Sequence, residues 1–104
     1  MPNNIYKLII ISFLFISPLD SNQKIMLDDF DKIITPLPLP YNGKEYSVDD
    51  LNKFISSTIY KEKQPILIFG ANWCPDCRIF SGTINIPKIK SFIDDNFEIL
   101  YIDV

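Results

Sequence analysis

Histidine is missing altogether from this chain of 104 residues, and cysteine occurs only twice. Those two scarcities narrow the chemistry more than anything else in the composition. Nucleophilic catalysis through Ser-His or Cys-His pairs has no imidazole to use. A tetrahedral zinc centre needs about four Cys, His or carboxylate ligands, so one cysteine pair makes a poor zinc site and neither a resident metal nor another cofactor is expected. Lys and Arg, 10 against 13 acids, form no cluster and leave a net charge of -3. A nucleic-acid partner needs a concentrated basic face and is therefore not expected. Long acidic runs, internal repeats and low-complexity tracts are also absent. What remains for the cysteines is a disulfide, redox chemistry or inert burial.

With 47% hydrophobic residues, 22% charged residues and 8 Pro, what is present is the composition of one globular domain at most. Residues 1–21 read as a secretory signal. Lys7 and the amino terminus supply a positive start, Leu8 to Ile16 an apolar run, and Ser17-Pro18 its break. That run is well short of the ~20 residues a spanning helix needs. Cleavage is expected after Ser21, which implies export, into a bacterial periplasm; an uncleaved N-terminal membrane anchor is the alternative. No Cys lies near the cut, so a lipid-modified cysteine is excluded.

Residues 22–46 read as an extended, Pro-rich segment. A short helix is expected over 24–34, with Met26, Phe30, Ile33 and Ile34 on one side. Thr35-Pro36-Leu37-Pro38-Leu39-Pro40 is extended, because each Pro fixes its own φ and biases its predecessor away from helix. Its alternating Leu residues suit a connector packed on a core better than a free proline-rich ligand. Tyr41-Asn42-Gly43-Lys44 signals a tight turn, expected to close a small hairpin with Glu45-Tyr46.

From residue 47 the pattern becomes regular. Ser47 is an expected N-cap, and Val48, Leu51, Phe54, Ile55 and Ile59 recur at helical spacing up to Tyr60. Lys61 to Gln64 is a turn. Pro65-Ile66-Leu67-Ile68-Phe69 is a continuous apolar run headed by Pro, as in a buried parallel strand. A helix follows through Ile84 with a weak point at Gly82, broken before Pro87, which begins another helix ending at Asp94-Asp95-Asn96. Phe97 to Val104 is rich in strand formers.

Trp73-Cys74-Pro75-Asp76-Cys77 thus falls where a strand hands over to a helix. Free N–H groups and positive potential at a helix start stabilise a thiolate, which makes Cys74 the expected nucleophile and Cys77, one turn on, the resolving sulfur. Pro75 suits the first helical turn, and Trp73 supplies an apolar wall. Asp76 places a carboxylate between the sulfurs, which disfavours thiolate and suggests a reducing couple; as a first-turn acid it also complements the helix dipole. Arg78 is expected to be solvated, and Phe54, Phe80, Phe92 and Phe97 to be core.

Pro65 through Cys77 resembles the strand and active-site turn of the thioredoxin superfamily, and the spacing through Pro87, Ile89, Ile93, Phe97 and Ile102-Asp103 extends the resemblance to residues 65–104. Residues 42–47 are similar to a stretch in exported thioredoxin-like proteins with a short N-terminal hairpin. The resemblance implies an α/β, three-layer fold, a central sheet flanked by helices, with 47–104 as the N-terminal portion of the domain. It implies protein thiol or disulfide substrates and a redox donor or acceptor protein as partners. Three departures stand out. A buried acid of the family falls at Ile68, and its helix-kinking proline falls at Gly82. Its cis-proline loop, which lies opposite the cysteines, would come beyond Val104. The sequence therefore reads as a fragment incomplete at its C-terminus, with Ile66 to Phe69 left as an apolar sheet edge and marginal stability alone.

Several readings of the cysteines stay open at this level: a thiol–disulfide oxidoreductase, a reductase dedicated to one partner in cytochrome or metal-site maturation, a non-catalytic binding module, a structural disulfide, or half of a metal site shared between chains.

Overall fold

The apolar runs on either side of the cysteine motif pair with one another. In the computed structural model, which describes residues 24–104, β1 (Gln64–Gly70) and β2 (Phe97–Asp103) lie parallel and in register from Gln64 opposite Phe97 to Gly70 opposite Asp103. Parallel strands need a crossover. Here it consists of two consecutive helices, α2 (Pro75–Ile84) and α3 (Pro87–Asn96). Helix α1 (Val48–Tyr60) precedes β1. The expected signal segment, 1–21, lies outside the described residues.

Side-chain alternation along the strands decides the layering. Glu98 lies on one face and accepts a hydrogen bond from Thr58 of α1. On the other face Tyr101 donates to Ser81 of α2 at 3.2 Å, while Phe97 packs against Phe92 of α3 with ring centroids 6.0 Å apart. One helix covers the first face and two cover the second, which makes three layers. The sheet has two strands, so each has an open edge among the described residues. Among the described residues only Tyr41, Ala71 and Ile86 are apolar and buried, and Phe69 is 60% exposed although it lies in β1. The continuous apolar strand is parallel as expected, but half-covered rather than buried.

Helix α1 starts as its sequence predicts. Ser47 Oγ accepts from Asp50 N and Asp50 Oδ2 accepts from Ser47 N, a reciprocal capping box. Its inward seam is Leu51, Phe54, Ile55 and Thr58, whereas Val48 and Ile59 point outward, 74% and 60% exposed. Thr58 enters the seam because its hydroxyl proton has two acceptors within reach, Phe54 O at 2.8 Å and Glu98 Oε2 at 3.0 Å. A polar residue with both partners in place can occupy a core position that hydrophobic periodicity assigns to Ile59.

Two expectations for the N-terminal segment are corrected. Residues 24–34 form no helix. Asp28 Oδ1 accepts from Phe30 N and Asp31 Oδ2 accepts from Asp28 N, so short acidic side chains take the backbone donors into a turn. Lys88 of α3 then pairs with both carboxylates, at 2.9 and 2.6 Å. Residues 41–46 form no hairpin, and the bend there is closed by the Asn42 side chain rather than by the backbone hydrogen bond of a tight turn. Gly43 sits at φ 74, Asn42 Oδ1 accepts from Lys44 N, and Gly43 N donates to Asp103 at the end of β2. The bend is thus tied to a distant strand end instead of pairing with residues that follow it.

The Pro-rich segment is the packed connector that its alternating Leu residues suggest. Arg78 is part-buried, not solvated: its Nε donates to Pro38 O at 3.2 Å and its Nη2 to Leu37 O at 3.1 Å. Gly82, buried in α2, supplies the second reason. A Cβ there would lie 2.7 Å from Ile33 Cγ2 and 3.3 Å from Leu37 Cδ2. The missing side chain lets the segment lie close against α2, which continues unbroken through Gly82.

Candidate active site

β1 ends at Gly70 beneath a short turn, Ala71-Asn72-Trp73, that leads into α2. Cys74 is the N-cap: its backbone is extended at φ -88 and ψ 110, and its sulfur accepts from Cys77 N at 3.3 Å. Pro75 takes the first helical position, where no N–H is needed. Cys77 follows one turn later. The two cysteines are not joined by a disulfide, and their sulfurs lie 2.6 Å apart in hydrogen-bond contact.

Surroundings distinguish the two. Cys74 stands between exposed neighbours, Trp73 at 81% and the exposed Pro75 and Asp76. Cys77 turns inward toward Gly70, where an added Cβ would lie 2.7 Å from its sulfur and would also collide with Tyr41 Oη. The hydrogen bond between the sulfurs is the largest influence on both acidities, raising Cys74 above the ordinary thiol range and lowering Cys77 below it. On Cys74 the Cys77 N–H at the helix start acts in the opposite, lowering sense. The Ala71 backbone lowers Cys77 further. The helix start therefore reaches Cys74, but a shared proton couples the pair and leaves Cys74 raised overall, while the inward sulfur has a backbone donor of its own at Ala71. Asp76 raises both thiols, behind these stronger influences.

The side chains that shape the site from a distance carried no signal in the motif itself. Asn72 holds the backbone of Tyr41 at two points, accepting from Tyr41 N at 3.0 Å and donating to Tyr41 O at 2.6 Å. This brings the Tyr41 ring edge-on to Tyr101, with centroids 5.3 Å apart at 78°. Ile68 opposes Tyr101 across the strands and contributes no carboxylate near the sulfurs. A groove of about 440 Å³ opens among Phe54, Ile84, Ile93, Phe97 and Tyr101. It lies toward the start of the strands, whereas the cysteines follow the end of β1.

No family model and no curated protein matches the chain. A solved structure does: the disulphide isomerase from Xylella fastidiosa Temecula1 is 34% identical and superposes with a TM-score of 0.57. The fold is thioredoxin-like. The match covers 65% of this chain and 52% of the isomerase, so the chain spans about half the length of that protein. The implied α/β class, with helices on both faces of a parallel sheet, is the one observed, and the Cys74/Cys77 pair sits at the strand-to-helix junction that the resemblance requires.

Proposed function

We propose that the chain works as a thiol–disulfide oxidoreductase on protein disulfides, with Cys74 as the attacking sulfur and Cys77 as the resolving one. One observation carries the reading: two free sulfurs 2.6 Å apart at the start of α2, the leading one among exposed neighbours. Similarity to a disulphide isomerase supports the same chemistry.

In the reducing direction Cys74, once its proton has gone to solvent, attacks a substrate disulfide, its charge steadied by the Cys77 N–H at the helix start. One substrate sulfur leaves as a thiol, and Cys74 is joined to the other. Cys77 then displaces it, closing the Cys74–Cys77 bond. The substrate gains two electrons and the pair loses two. Trp73, exposed beside Cys74, offers an aromatic surface for the substrate backbone. Asp76, which disfavours both thiolates, supports a reducing couple, since oxidants are those whose reduced form is stabilised. The N-terminal charge-then-apolar-then-small pattern supports work outside the cytoplasm, in a periplasm.

The test is a thiol–disulfide titration of the full chain in glutathione buffers, coupled to insulin reduction. A reversible two-electron transition, with turnover abolished by Cys74→Ser, is the expected result. If no dithiol–disulfide transition is found, the reading fails; a potential as high as that of the strong periplasmic oxidants would overturn its reducing direction.

A further inference from the structure

Tyr41 is 4% exposed, yet its hydroxyl is a buried side-chain oxygen with no hydrogen-bond partner. A buried phenol left unpaired is unfavourable and calls for an explanation. The ring cannot turn away easily, because Asn72 grips its backbone and Tyr101 packs against its edge. What the hydroxyl faces is the space above Gly70, and the sulfur of Cys77 borders the same space. A thiol is a weak acceptor for a phenol. A thiolate is a strong one, and the hydrogen bond becomes charge-assisted.

Resting on the oxidoreductase reading above, we propose that Tyr41 is the hydrogen-bond donor that holds the Cys77 thiolate during the resolving step. In the mixed disulfide Cys74 has no proton to exchange with its neighbour, and Cys77 must ionise before it can attack. Its proton passes through water to the departing substrate sulfur. The Cys77 thiolate, steadied by Tyr41 Oη and the Ala71 backbone, forms the bond to Cys74 as the bond from Cys74 to substrate breaks. The leaving sulfur carries off the electron pair and ends as a thiol, so no outside oxidant is needed.

Other groups around the site agree with this assignment. Those acting on Cys77 are Cys74, Tyr41, the Ala71 backbone and Asp76, and of the side chains only Tyr41 is both protonated and enclosed with it. Burial raises the phenol above its ordinary value, so it remains a donor across the working range; Cys77, Tyr101 and Cys74 act on it in the same direction. Ile68 supplies no carboxylate where the resemblance implies a buried acid.

The test isolates Cys77 in the full chain carrying Cys74→Ser and follows its ionisation by ultraviolet thiolate absorbance and iodoacetamide alkylation. Adding Tyr41→Phe is expected to move the titration upward by about one unit, with roughly tenfold slower alkylation near neutral pH. Fluorotyrosine placed at position 41, a more acidic phenol, is expected to move it downward. With both cysteines present, Tyr41→Phe is expected to let the mixed disulfide with substrate accumulate. An unchanged titration on fluorotyrosine substitution overturns the proposal, even where Tyr41→Phe fails to fold. The titration does not depend on turnover, so failure of the oxidoreductase reading shows separately, as a chain without a dithiol–disulfide transition.

Discussion

Asn72 and Tyr41 bind one another as two paired strands would: Tyr41 N donates to Asn72 Oδ1 at 3.0 Å and Asn72 Nδ2 donates to Tyr41 O at 2.6 Å. A side chain in the active-site turn thereby does for one residue what a neighbouring strand does for many. Removing it leaves a part-buried amide and carbonyl without partners. Asn72→Ala is expected to lower stability by about 1–3 kcal/mol, read from the urea midpoint. Asn72→Asp should cost at least as much, since its carboxylate accepts from Tyr41 N but sets a second acceptor against Tyr41 O. If Asn72→Asp is as stable as the parent chain, the paired geometry is not what stabilises the turn.

The guanidinium of Arg78 holds the Pro-rich segment by two carbonyls, which Lys cannot match with a single ammonium. Arg78→Met keeps the apolar stem and leaves Leu37 O and Pro38 O unpaired, at a cost of about 1–3 kcal/mol. The expected consequence is local. Backbone cleavage after Lys32 and Lys44 under limited trypsin treatment should accelerate, while the sites at Lys53 in α1 and Lys90 in α3 stay protected. Equal acceleration at all of these sites would mean that the connector and the helices unfold together.

Glu98 predicts an acid limb in the stability profile. Its carboxylate is held below the ordinary value of 4.5 by hydrogen bonds from Lys61 and Thr58, the Lys61 bond being the larger cause. A carboxyl more acidic in the folded chain than in the unfolded one stabilises the fold above the unfolded value, and that contribution disappears as pH falls through the folded value. Glu98→Gln should therefore reduce the loss of stability on acidification from about 5 downward. Part of the slope should survive, because Asp28 and Asp50 are lowered in the same direction by Lys88 and Ser47. Parallel profiles for the parent chain and Glu98→Gln would contradict the pairing.

Much of the fold was legible in short-range patterns. The Ser47 cap, the apolar run from Pro65, the break before Pro87 and the strand from Phe97 are each set by neighbours within a turn or two, and all appear where the sequence predicts them. The cysteine site was legible for the same reason, since Cys74 to Cys77 is one helical turn. The misread elements depend on remote partners. Residues 24–34 have a helical apolar spacing, but Lys88 rewards a turn at Asp28 and Asp31 instead. The chain at Gly43 bonds Asp103, sixty positions along, rather than closing a hairpin.

From residue order alone follow the elements and the spacing of the two sulfurs, because backbone preference and helical period act over a few positions. Tertiary structure alone decided which residues surround those sulfurs. Tyr41 lies far from the motif in sequence and reaches it only because Asn72 captures its backbone and Gly70 leaves room for its hydroxyl. Burial and hydrogen-bond partnership are properties of closed contacts, and no local pattern records them.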